Sequence, residues 1–165
     1  MKVGIVMGSK SDYSVVSRAE GVLDAFGVGY TTRIISAHRT PSAAEAFSKG
    51  AEDEGLEVII AAAGKAAHLA GVMAANTPLP VIGLPVKSST LDGLDSLLST
   101  VQMPKGVPVA TVAIDGAENA ALLAVQILAV KDPGLRKAVR EYKASMEREI
   151  MQADREFQDG KQGPQ

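Results

Sequence analysis

Short apolar runs alternate along the chain with longer segments whose apolar positions recur at helical spacing. Residues 3–7, 31–35, 57–62, 80–84 and 107–114 read as strands, several of them unbroken apolar or β-branched stretches. Between them, Val15, Val16, Ala19, Val22, Leu23 and Phe26 predict a helix over 12–26. Pro41 suits the first turn of a second helix over 41–54. A short helix ends near Ala75, another covers 91–98, and an Ala/Leu-rich one covers 117–130. Strands that alternate with helices and lack polar alternation indicate a parallel sheet covered on both faces. Right-handed crossovers make it a doubly wound, three-layer α/β/α fold of flavodoxin-like strand order 2-1-3-4-5. Its switch point lies between strands one and three, where the loops 8–12, 36–41 and 63–71 converge. After Asp132-Pro133-Gly134 a last helix is expected over about 133–157, with Leu135, Val139, Tyr142, Met146 and Ile150 as its apolar stripe. Two readings of that stripe stand: it docks on a neighbouring subunit, or it packs on its own sheet. A single catalytic domain over 1–158 and a disordered tail over 159–165 complete the expectation.

Composition narrows the function classes. The 165 residues are enough for one domain with a real core. A net charge of −2, with both signs spread along the chain, gives no reason to expect a nucleic-acid or membrane-surface binder. No apolar run is long enough to span a bilayer, and the N-terminal run lacks the pattern of a signal peptide. The absence of cysteine excludes disulfides and thiolate metal sites and is compatible with a cytoplasmic protein. With two histidines and no cysteine, a dedicated transition-metal site is not expected, although carboxylates could bind magnesium. Aromatic residues make up 4% with no Trp, which argues against stacking on a flavin or on bases.

The candidate chemistry sits at strand ends. Ser36-Ala37-His38-Arg39-Thr40-Pro41 joins strand two to helix two and puts a group that titrates near neutrality beside a fixed cation. Gly8-Ser9-Lys10-Ser11-Asp12 offers hydroxyls, backbone N–H groups and a helix start, the parts of an anion site. Asp12 either caps the helix or accepts from sugar hydroxyls. Arg39, arriving from the next loop, favours a phosphate ligand. Residues 61–71 follow strand three, are nearly free of polar side chains, and suit the wall of a small dry pocket. Their Gly64-Lys65 is not a nucleotide P-loop, because Ala66 follows the lysine and Ile59 stands where a glycine is needed. His68 on its own reads as a hydrogen-bonded structural histidine. Asp92 and Asp95 read as a cap and a surface charge, and Gln102-Met103-Pro104 as a loop able to line a pocket.

These segments, with Ala66-Ala67-His68-Leu69, Leu94-Asp95-Ser96-Leu97-Leu98, Val101-Gln102-Met103-Pro104 and Asn119-Ala120-Ala121-Leu122-Leu123-Ala124, occur in an order that closely resembles the PurE family. Those are 5-(carboxyamino)imidazole ribonucleotide mutases of purine biosynthesis, and the resemblance covers about residues 2–150. It implies an isomerase, a homo-octamer with sites near subunit contacts, and no metal or organic cofactor. It implies that His38 is the catalytic acid and base. Ser9, Asp12 and Arg39 would bind the ribose phosphate of the substrate, with Ser11 and Ser36 in support. Gly64, Ala66, His68 and Leu69 would line the pocket. The related class that carboxylates aminoimidazole ribonucleotide directly usually has Lys after the loop histidine, so Arg39 and the Ala-Ala-His run point to the mutases. The chain departs from the family pattern at Ala62, Lys65 and Ala70, which replace Gly, Gly and Pro in the pocket loop. Direct carboxylation, and a non-catalytic phosphate- or flavin-binding module of flavodoxin type, are the alternative functions.

Overall fold

The computed structural model describes residues 1–89 and 91–161. Strands β1 (Lys2–Met7), β2 (Gly29–Ile34), β3 (Val58–Gly64), β4 (Val81–Val86) and β5 (Ala110–Thr111) form one sheet in the order β2-β1-β3-β4-β5. All four pairings are parallel. The helices are α1 (Tyr13–Ala25), α2 (Pro41–Gly50), α3 (Leu69–Ala75), α4 (Leu94–Val101), α5 (Ala117–Leu128) and α6 (Pro133–Lys161). The expected doubly wound, flavodoxin-like fold with an added C-terminal helix is therefore the fold of this chain.

Alternation along each strand divides the core in two. Val3, Ile5 and Met7 face one way and pack with Val16, Ala19 and Leu23 of α1 and Ala120, Ala124 and Leu128 of α5. Val6, Ile59 and Ala61 face the other way, against Ala44 and Phe47 of α2 and Leu69, Ala70 and Met73 of α3. Central strands β1, β3 and β4 are buried on both faces, which is why they read as continuous apolar runs. Small residues let the layers close. A Cβ on Gly83 of β4 would sit 2.4 Å from Thr100 Cγ2 on α4 and 2.9 Å from Val109 Cγ1.

Several boundaries differ from the sequence expectation. The fifth strand shrinks from 107–114 to Ala110–Thr111, because Pro108 has no N–H to donate and β5 is an edge strand. Its pairing with β4 continues as single bonds, Val112 N–H to Gly83 O (3.1 Å) and Asp115 N–H to Pro85 O (2.9 Å). Strand β4 runs on to Val86, two residues beyond the expected end. Helix α2 stops at Gly50, and turns lead to Gly55 in the left-handed region (φ 73°). Helices α1 and α4 each open through a 3₁₀ turn, Lys10–Asp12 and Leu91–Gly93. Helix α6 continues to Lys161 where a tail was expected from 159. The remainder of that expected tail, 162–165, lies outside the described residues. Pro133 starts α6, and Asp132 Oδ1 accepts the Leu135 N–H at 2.8 Å, a cap at the first turn. No helix among the described residues is long and apolar enough to cross a membrane.

Two stability measurements probe this packing. Gly83→Ala is expected to destabilise the fold by about 1–3 kcal/mol in urea unfolding, because the added methyl overpacks the β4–α4 contact. Lys65, in the turn after β3, holds φ 57°, a left-handed conformation that costs a side-chain-bearing residue about 1 kcal/mol. Lys65→Gly is therefore expected to raise the unfolding midpoint; a lowered midpoint would mean that the lysine side chain contributes packing that outweighs the strain.

Candidate active site

Four loops leave the carboxyl edge of the sheet and wall a cavity of about 650 Å³ at the switch point. The volume suits a small-molecule ligand.

The first loop follows β1. Ser9 Oγ accepts the Ser11 N–H (3.3 Å), and Asp12 Oδ2 accepts the Ser9 N–H (3.0 Å), a reciprocal capping box around the 3₁₀ turn. Asp12 therefore caps that turn and makes no side-chain bond to the start of α1. The Ser11 hydroxyl lies within reach of both Ser9 Oγ (3.0 Å) and Asp12 Oδ1 (3.3 Å), and its single proton serves one at a time. Asp12 is buried, and burial pushes its carboxyl above the ordinary range. Hydrogen bonds from Ser11 and Ser9 and the nearby Arg39 charge oppose that rise.

The second loop follows β2. Thr40 closes it on itself: its N–H donates to Ser36 O (2.8 Å), and its Oγ1 accepts the Ser36 N–H (2.9 Å). Ser36 Oγ then accepts the Arg39 N–H at 3.2 Å, with Arg39 Nε at a longer 3.4 Å. Arg39 Nη2 donates to the Gly8 carbonyl at 2.9 Å and so ties the second loop to the first. A guanidinium has five donors, so others remain for an anion. His38, in the same loop, is exposed on the cavity wall.

The third loop follows β3. Gly64, Lys65, Ala66 and Leu69 lie on the cavity wall. Ser99 of α4 pins this loop from behind, accepting the Ala67 N–H at 3.0 Å and lying 3.2 Å from the Lys65 carbonyl. His68, expected with them as a lining residue, is not on the cavity wall; it reaches across to the second loop, and its Nδ1 is 2.9 Å from His38 Nε2, with the rings edge to face. One of these two nitrogens donates and the other accepts. The chain's two histidines are thus one hydrogen-bonded unit.

The fourth loop follows β4 and brings Lys87, Ser88 and Ser89 to the cavity. No site residue is expected there from the sequence analysis above, although Lys87-Ser88-Ser89 stands at a strand end like the other three groups. Ser99 carried no such signal, because a serine on a helix announces nothing about the loop beneath it. Asp95 accepts from Ser88 Oγ (3.1 Å), and Asp92 pairs with Lys87 Nζ (3.1 Å), so both face the fourth loop. Met103 packs over Gly71, and the 102–104 segment is not part of the cavity wall. No cluster of three or more His, Asp or Glu side chains able to hold a metal occurs among the described residues.

Comparison of the sequence and the fold with known proteins identifies a family. The AIR carboxylase family model covers residues 2–149. The chain is 56% identical over 151 residues to the N5-carboxyaminoimidazole ribonucleotide mutase of Thermotoga maritima, spanning 92% of this chain and 88% of that protein. It is 58% identical over 148 residues to the mutase of the same name from Pyrococcus horikoshii, spanning 90% and 84%. The crystal structure of Treponema denticola PurE superposes with a TM-score of 0.85 at 31% identity, covering 94% of this chain and 97% of that one. Sequence and fold agree over nearly the whole length, and the protein belongs to the AIR carboxylase family, the PurE proteins.

Proposed function

We propose that this chain is an N5-carboxyaminoimidazole ribonucleotide mutase of purine biosynthesis, an isomerase that moves a carboxylate from the exocyclic nitrogen of its substrate to ring carbon four. The observation that carries this reading is His38, paired with His68 at 2.9 Å, on the wall of a cavity that Arg39 lines from the same loop. The chemistry follows from the substrate. Protonation of the carbamate nitrogen by His38 breaks the bond to the carboxyl carbon and frees carbon dioxide. The aminoimidazole left behind is an enamine, nucleophilic at ring carbon four, and its attack on the carbon dioxide forms the new carbon–carbon bond. His38, now unprotonated, removes the proton from that carbon and is restored. One group acting as acid and then as base needs a pKa near the working pH, which suits an imidazole. A second imidazole that accepts or donates at 2.9 Å holds the ring in place between the two steps. The apolar wall of Gly64, Ala66 and Leu69 keeps the carbon dioxide beside the ring, so that recombination stays effectively intramolecular.

At the other end of the ligand, Arg39, Ser9 and Ser11 bind the phosphate, and Asp12 accepts from the ribose hydroxyls, with Ser36 holding Arg39 in place. No organic cofactor or metal enters these steps. The functional unit is a homo-oligomer, an octamer by resemblance. What supports this is α6: Ile150, Met151 and Phe157 are exposed on its outer half, and Met146 is 40% exposed, a stripe that a second copy would cover. We also assign the chain to the cytoplasm, a reading with which its lack of cysteine is compatible.

The direct test supplies the purified protein with N5-carboxyaminoimidazole ribonucleotide, or with aminoimidazole ribonucleotide and carbon dioxide. Faster turnover of the first is expected; a preference for the second makes the protein a carboxylase. His38→Asn is expected to lower turnover by about 10²–10⁴-fold while leaving substrate affinity within a few-fold, measured by steady-state kinetics and calorimetry. Turnover within about tenfold of the parent removes His38 from the acid–base role. Arg39→Ala is expected to weaken ribonucleotide binding by about 1.5–3 kcal/mol and to leave the dephosphorylated nucleoside nearly unaffected. An equal loss for both ligands means that Arg39 does not read the phosphate.

A further inference from the structure

The cavity wall carries one acidic side chain, Asp12, and three cationic ones, Arg39, Lys65 and Lys87. The proposed chemistry uses Arg39 for the phosphate and leaves Lys87 without a role. Strand order decides where these cations stand. The loop of Arg39 follows β2 and that of Lys87 follows β4, three strand intervals apart in the sheet. At the spacing of hydrogen-bonded strands that is about 14 Å between the two strand ends. The β1 loop and the β3 loop lie between them. The loops that carry Arg39 and Lys87 are thus the outermost of the four that wall the cavity, and a ligand with an anion at each end can meet both. The mutase substrate and product are such ligands, with phosphate on the ribose and a carboxylate on the base.

The place where β4 releases Lys87 is fixed from outside the cavity. Asp115, in the turn between β5 and α5, donates its N–H to Pro85 O (2.9 Å) and accepts the Lys87 N–H on Oδ1 (2.8 Å). These two bonds grip the main chain on either side of Val86, the last residue of β4. Asp115 is held in turn by Arg18 of α1, whose Nη2 donates to its carbonyl at 2.7 Å. Its φ of 55° lies in the left-handed region, which Asp and Asn tolerate better than most residues. The Lys87 ammonium pairs with Asp92 Oδ1 at 3.1 Å, with the two side chains 58% and 89% exposed. An exposed pair of that kind is weak and yields readily to a better-placed anion.

We propose that Lys87 binds the base-borne carboxylate at the end of the cavity opposite Arg39, and that Asp115 is the positioning residue that presents it. This rests on the mutase reading above. It makes Lys87 a determinant of which ribonucleotides bind well: carboxylated ones are favoured over their decarboxylated counterpart.

Calorimetric titration of the intact protein with the carboxylated product, 4-carboxy-5-aminoimidazole ribonucleotide, and with aminoimidazole ribonucleotide tests the assignment. Lys87→Gln is expected to weaken the carboxylated ligand by about tenfold and to leave the decarboxylated one within about twofold, as the loss of one charge-assisted contact implies. Lys87→Arg is expected to restore most of the difference. Asp115→Gly keeps the backbone conformation and removes the carboxylate that holds Lys87. It is expected to reproduce the selective loss in weaker form, whereas Asp115→Asn, whose amide oxygen accepts the same N–H, behaves as the parent. An equal loss for both ligands in Lys87→Gln, or no loss for either, overturns the assignment. Intact selectivity in Asp115→Gly overturns the positioning role. If the parent protein binds both ligands and interconverts the two carboxylated ribonucleotides, such failures fall on Lys87 and Asp115 alone; if the parent does neither, the mutase reading fails and this assignment fails with it.

Discussion

Parallel pairing is the constraint on which the rest of this structure depends. When every strand runs the same way, every βα turn leaves from the same edge of the sheet. Reversal of strand order at β1 then opens a crevice at that edge, because α1 and α2 pack on opposite faces. Residues far apart in the chain meet there without any long loop having to carry them. The turns after β1, β2, β3 and β4 are the walls of the cavity, and the rigid buried strands beneath them fix its dimensions.

Hydrogen bonds between loops convert that adjacency into a site. Arg39 binds the Gly8 carbonyl, His38 meets His68, Ser99 holds the turn at Lys65 and Ala67, and Asp115 holds Lys87. Each bond ties a catalytic-edge loop to a neighbour, and several use backbone groups that the strand ladder leaves free. The result is a preorganised arrangement in which the ligand meets donors already in place. Its charge is asymmetric as well. Asp12 is buried with its carboxyl pushed up, while Arg39, Lys65 and Lys87 are exposed cations, so the cavity favours an anion.

The fold was legible because its signal is periodic. Buried parallel strands leave unbroken apolar runs such as Val58-Ile59-Ile60-Ala61-Ala62, and α1 keeps its apolar positions at helical spacing. Lengths set by an edge were harder to read. Residues 107–114 are apolar enough for a long strand, yet Pro108 and the lack of an outer neighbour leave two paired residues. The cavity wall was legible where chemistry and strand ends coincide, as at Ser36–Arg39 and at Ser9 and Asp12. Contacts between loops were not. No local pattern links His38 to His68 across thirty residues, or Asp115 to Lys87 across twenty-eight, because only the tertiary fold makes those pairs neighbours. The left-handed turn at Lys65 lies between these cases. The departure from Gly was visible in the sequence as a resemblance, and the backbone angle explains why a glycine suits that position.

The central claim is that one cavity both releases and recaptures carbon dioxide before it escapes. Following an isotope in the migrating group tests that most directly. N5-carboxyaminoimidazole ribonucleotide labelled in its carboxylate would be turned over in a large excess of unlabelled bicarbonate and dissolved carbon dioxide. The carboxylate on ring carbon four would then be analysed by mass spectrometry at early conversion. The account predicts that most of the label is retained in the product. A product carrying only the isotope of the surrounding solution would contradict it, because the carbon dioxide would then have left the site before the new bond formed.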